Sequence, residues 1–167
     1  MKKSSYEVRA RRFIEQLWPF MHDCHCPEQF ESAVDNFNTF YHRKVIFAYG
    51  LTRVAFVTSD YVIKLEYSPD DICVFGGCED EVSLYKRAEK DGFAYMFAKI
   101  ERYAYRGLNF YIMPRIHGIE RTEYNAEDYM TDDELNWCDS QGLTDLHNGN
   151  YGWKNGHIVI IDYAARC

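Results

Sequence analysis

Three oxygen-bearing side chains toward the C-terminal end have a spacing suited to metal chemistry: Asp145, Asn150 and Asp162. Asn150 follows Asp145 by five residues, and Asp162 follows Asn150 by twelve. Val159, Ile160 and Ile161 read as a short buried strand, and Asn155-Gly156 just before them is a strong two-residue hairpin signal. That hairpin would set Asn150 and Asp162 at neighbouring strand ends, with Asp145 on the loop leading in. An amide and a carboxylate so placed suit a hydrated magnesium ion beside a carboxylate base. Each residue alone is an ordinary turn former, so the order and spacing carry the argument.

Two further charged residues stand out. Lys64 lies in the middle of an apolar run, between Ile63 and Leu65, where an unpaired ammonium is costly to bury. A lysine on an edge strand, reaching solvent, is the ordinary alternative. Glu81, on the first turns of the next expected helix, is a candidate partner, with Glu79 as its substitute. A third group, His22, Cys24, His25 and Cys26, is rich in ligand types. Its Cys-x-Cys spacing is tighter than zinc sites use, and Cys73, Cys78, Cys138 and Cys167 are scattered. A turn between helices before Pro27 accounts for it better than a metal site.

The elements that must position these residues follow from periodicity. Residues 5–20 carry Val8, Phe13, Ile14, Leu17 and Trp18 at helical spacing, with Pro19 and Pro27 bracketing the end. A second amphipathic helix is expected from Glu28 to Tyr41. The period then shortens: Val45–Tyr49, Arg53–Thr58 and Tyr61–Tyr67 read as strands, turning at Gly50 and Ser59-Asp60. A helix from Glu79 to about Lys90 follows and stops at Gly92. Two strands, Tyr95–Glu101 and Asn109–Met113, would join across Arg106-Gly107. A last helix is expected near Thr131 to Gln141, with Thr131 and Glu134 forming a capping box.

Composition narrows the class. At 167 residues, 47% apolar and 17% aromatic, the chain is long enough for a substantial core. Its net charge of −7 and pI near 5.3 argue against general nucleic-acid binding. No run of 18 apolar residues occurs, and the N-terminus lacks the apolar segment of a signal peptide. A cytoplasmic protein with reduced thiols and no membrane association is the expectation.

The order of these pieces resembles the protein-kinase-like superfamily. The residues that carry the resemblance are Val62-Ile63-Lys64-Leu65, Glu81 to Tyr85, Tyr111 to Pro114, Asp145 to Asn150 and Ile160 to Ala164. The Asp-Leu-His-x-Gly-Asn wording looks closer to the aminoglycoside phosphotransferase and bacteriophage branch than to eukaryotic kinases. The resemblance implies an α+β, protein-kinase-like fold: two extra N-terminal helices (1–44), a five-stranded antiparallel N-lobe (45–114) and a severely truncated C-lobe (115–167). It implies ATP and Mg2+ as cofactors. Lys64 would hold the α- and β-phosphates, and Glu81 would fix Lys64. Asp145 would act as catalytic base or orienting group, and Asn150 and Asp162 would carry the metal. Gly50 would begin the nucleotide loop, while Met113 and Arg115 would border the adenine pocket, with 114–116 as hinge. His147 would contact substrate or brace the loop.

Departures from the family pattern shape the functional expectation. Leu143-Thr144 stand where a His-Arg pair commonly precedes the catalytic Asp, and Tyr163-Ala164 replace Phe-Gly. The nucleotide loop has a lone glycine, which is a weak signal. Cys167 comes five residues after Asp162, leaving no room for an activation segment or a peptide-gripping platform. The resemblance thus implies a minimal serine/threonine protein kinase of bacteriophage or bacterial-effector type, acting on a host or partner protein in the bacterial or host cytoplasm. A kinase-shaped module that binds a host protein without transfer is the alternative, and a small-molecule kinase is the third reading. A homodimer or a host partner would cover apolar surface exposed by the short C-lobe.

Overall fold

The computed structural model describes residues 5–50, 53–66, 77–118, 126–143, 146 and 149–163. The chain is α+β and divides into two compact units: Met1–Val74 with Glu101–Arg115, and Phe75–Ile100 with Ile116–Cys167.

The first unit is a sheet covered by two helices. Helix α1 (Ser5–Met21) buries Ala10, Phe13, Ile14, Leu17 and Met21, the stripe that a helical period gives. Pro19 lies inside its last turn rather than beyond its end. Helix α2 (Pro27–Tyr41) buries Phe30, Ala33, Val34 and Phe37, and its cap His42 adopts the left-handed conformation. Strands β1 (Ile46–Tyr49), β2 (Arg53–Val57), β3 (Tyr61–Glu66), β4 (Glu101–Tyr105) and β5 (Leu108–Pro114) form one antiparallel sheet in the order β1-β2-β3-β5-β4. Alternation along β3 sends Tyr61, Ile63 and Leu65 into one core with α1 and α2. Phe13 meets Phe37 edge-on at 5.1 Å between ring centroids. The N-terminal helices therefore share the core of the sheet. The β4–β5 turn uses Arg106 and Gly107, both at positive φ, as a two-residue hairpin requires.

The second unit contains α3 (Cys78–Asp91), α4 (Asp132–Ser140) and a small antiparallel sheet of β6 (His117–Gly118), β7 (Tyr151–Lys154) and β8 (His157–Ile160). Asn155 and Gly156 turn β7 into β8 at positive φ, as expected. Thr131 caps α4: its N–H donates to Glu134 Oε2 at 2.6 Å, and the Glu134 N–H donates back to its hydroxyl. Helix α3 falls in this unit rather than with the strands around it in sequence.

One expected strand is absent. Tyr95–Ile100 do not extend β4, which begins at Glu101. Ala94–Met96 form a single 3-10 turn, and Phe97 makes an isolated parallel bridge to Ile160, with the Ala98 N–H donating to the Ile160 carbonyl at 2.9 Å. Met96, Phe97, Ala98 and Ile100 are all buried. They form a continuous apolar run whose period alone does not separate strand from coil.

Candidate functional site

In the second unit, the end of β8 returns beside the start of β7. The Asn150 carbonyl accepts the Ile161 N–H at 2.7 Å and the Asp162 N–H at 3.3 Å. The hairpin thus fixes the backbones of Asn150 and Asp162 side by side, and Asn150 is only 8% exposed. One residue further, the Tyr163 N–H donates to the carboxylate of Glu81 at 3.4 Å. Glu81 is fully buried on the inner side of α3 with Val82, Leu84 and Ala88. Three of the residues expected in the site are therefore drawn together within one unit.

Tyr163, which sequence reasoning treated only as a departure, anchors this arrangement. Its ring meets Phe97 at 5.0 Å, and its hydroxyl donates to the Ala98 carbonyl at 2.7 Å. Burial, and after it the negative charge of Glu81, pushes the phenol far above its ordinary pKa, so it stays a donor. The signal was present in the Asp-Tyr pair, but its partners lie 65 and 82 residues away. Gly152 adds a second constraint: a Cβ there would collide with the His117 carbonyl oxygen and the Ile116 side chain. The close pairing of β6 with β7 requires a glycine at this position.

In the first unit, Lys64 sits opposite Ala55 on β2 and Tyr111 on β5, at the centre of the sheet and not on an edge. It belongs to the face away from α1 and α2, and is only 9% exposed. Met113, opposite Val62, lies on that same face and is buried. Arg115 is engaged in a different way: its N–H donates to the Asp60 carbonyl at 2.9 Å and its guanidinium to the Thr58 carbonyl at 2.8 Å. Its backbone donor, which a hinge would offer to a base, is thus already taken by the β2–β3 turn. Gly50 donates its N–H to the Arg53 carbonyl at 2.8 Å. Neither a positive φ nor crowding demands a glycine there.

Asp145 and His147 lie outside the described residues. Among the described residues no group of three or more His, Cys, Asp and Glu could hold a metal ion. The oxygen donors of Asn150 and Asp162 are nonetheless the hard ligands that magnesium takes, and it commonly needs only one or two from protein. No helix among the described residues is long and apolar enough to cross a membrane. Neither a protein-family model nor a curated protein matches the chain.

Proposed function

We propose that this chain is an ATP- and magnesium-dependent phosphotransferase of protein-kinase-like architecture, with Ser or Thr hydroxyls of a partner protein as acceptors. The observation that carries the reading is the joining of Asn150, Asp162 and Glu81 in one unit, through the Asn150 carbonyl and the Tyr163 N–H. Phosphoryl transfer asks a protein mainly to position groups and neutralise charge, and a buried, hydrogen-bonded frame suits that task. The central position of Lys64, rather than an edge position, adds support.

In this reading Asn150 and Asp162 would hold magnesium, whose charge would balance that of the phosphates. Lys64 would bind the α- and β-phosphates, and Glu81 would keep the Asp162–Tyr163 backbone in register. Asp145 would orient the attacking hydroxyl. Met113 would pack against the base. Incubation with radiolabelled ATP, magnesium and a cell lysate should label discrete proteins, and Asp145→Ala should abolish the label.

A binding module without transfer is the second reading, favoured by the turn at Gly50. Its N–H closes that turn, and neither space nor backbone conformation requires a glycine there. A partner captured equally by wild type and Asp145→Ala, with no label transferred by either, would select it.

A further inference from the structure

The first unit carries an open cleft of about 690 Å³, linked to the residues above through Arg115, which bonds to the backbone of its lining residues Thr58 and Asp60. Three segments far apart in sequence form it: one face of α1 with Arg9 and Arg12, the α2–β1 connection with Arg43 and Lys44, and the β2–β3 turn with Asp60 and Tyr61. Four cationic side chains thus meet one carboxylate, in a chain whose net charge is −7. Asp60 is engaged by Arg9 at 2.7 Å. Arg12, Arg43 and Lys44 have no acidic partner among the described residues. Like charges gathered without compensation repel one another, and a bound anion would relieve that repulsion.

The scaffold fixes the backbone that carries these exposed charges. The Arg43 N–H donates to the Asn38 carbonyl at 3.0 Å, and the Asn38 side chain clamps both backbone groups of Val45 at 2.9 Å. The Thr58 hydroxyl bridges the Tyr61 backbone, donating to its carbonyl at 2.8 Å and accepting its N–H at 3.1 Å. The Arg9–Asp60 pair ties α1 to the same turn. Beneath the charges, Phe13 and Tyr61 are buried with ring centroids 6.1 Å apart, which gives the cleft an apolar floor. Burial pushes the Tyr61 phenol up, while Arg43, a hydrogen bond with Thr58 and Arg9 act against that shift.

We propose that this cleft binds a small polyphosphate anion, with Arg12, Arg43 and Lys44 as its ligands. Guanidinium groups match phosphate oxygens in a two-pronged geometry, and lysine adds a point charge. Three uncompensated cations call for a multiply charged anion rather than a single carboxylate. The volume falls within the range of small-molecule sites and exceeds what one phosphate fills. The site is separate from Lys64, because Tyr61 and Lys64 lie on opposite faces of β3. It also needs no magnesium, which would compete for the same phosphate oxygens.

Calorimetric titration of the full chain with inorganic tripolyphosphate and with ATP, both in EDTA, tests this. At least one probe should bind with an affinity that falls as salt rises. The double substitution Arg43→Gln, Lys44→Gln should weaken it by ~10-fold or more. Asp60→Asn, which removes the competing carboxylate and frees Arg9, should strengthen it, an effect that misfolding would not mimic. Tighter binding of tripolyphosphate would identify an inorganic ligand, and tighter binding of ATP an organic body resting on the Phe13–Tyr61 floor. Failure of both probes, or affinity indifferent to the double substitution, would overturn the proposal.

Discussion

The two units achieve order by different means. The first is organised around apolar volume: Phe13, Phe37, Phe56 and Phe30 interlock between two helices and a five-stranded sheet. The second has short strands and little sheet, and a few polar anchors set its geometry. Glu81 accepts the Tyr163 N–H, the Asn150 carbonyl accepts two amides, and the Tyr163 hydroxyl donates to the Ala98 carbonyl. A core built from volume tolerates exchange of one apolar side chain for another of similar size. A frame built from buried hydrogen bonds does not tolerate loss of a partner. The candidate metal ligands lie in the second kind of structure, where position is set residue by residue.

Substitutions that change volume and hydrogen bonding separately probe this contrast. The largest effect should come from Phe37→Ala, which empties the centre of the first core and should cost about 3–5 kcal/mol in chemical denaturation. Hydrogen exchange should then loosen first in α1, α2 and the five-stranded sheet. Gly152→Ala should cost about 1–3 kcal/mol, with faster exchange in β6 and β7, because the added methyl meets the His117 backbone as well as the Ile116 side chain. Exchange confined to the first unit in that variant would break the contrast. Tyr163→Phe keeps the volume and deletes one hydroxyl, and should cost about 1 kcal/mol. An unchanged stability would mean that packing alone holds that end of the chain.

The smallest effect is acidic. Burial tends to raise the Glu134 carboxyl pKa, but hydrogen bonds from Thr131 and Tyr95 outweigh it and hold the group below its ordinary 4.5. The folded state therefore binds this proton less readily than the unfolded one. Its stabilisation is present above pH 4.5 and is lost as pH falls through the lower folded value. Wild type and Glu134→Gln should consequently converge in stability below that point, and a gap that widens on acidification would contradict the assignment.

Legibility in the sequence followed the same division. Helical stripes in α1 and α2 and alternation in β2 and β3 are repeated signals, so each was readable before any contact was known. Two features of the second unit were equally readable because their chemistry is local: the Asn155-Gly156 turn and the Thr131–Glu134 capping box. Tyr95–Ile100 were not, since a run of buried apolar residues fits strand and coil alike. Pro19 stays within α1 at the cost of one helical hydrogen bond, a local penalty that the buried Leu17 and Met21 on either side of it offset. The engagement of Arg115 with Thr58 and Asp60, and the meeting of Arg9 and Arg12 with Arg43 and Lys44, join residues distant in sequence. No periodicity reports such contacts.

The central claim is that the frame around Asn150, Asp162 and Glu81 positions a magnesium–nucleotide site. Thermal unfolding with ATP, in magnesium and in EDTA, tests it most directly. At about 100 times the dissociation constant, ATP with magnesium should raise the melting temperature by roughly 5–10 °C. In the Arg43→Gln, Lys44→Gln background, where the basic cleft of the first unit is weakened, that gain should persist with magnesium and vanish in EDTA or on adding Asp162→Ala. In that background, a rise of the same size with and without magnesium, or one that survives Asp162→Ala, would contradict the account.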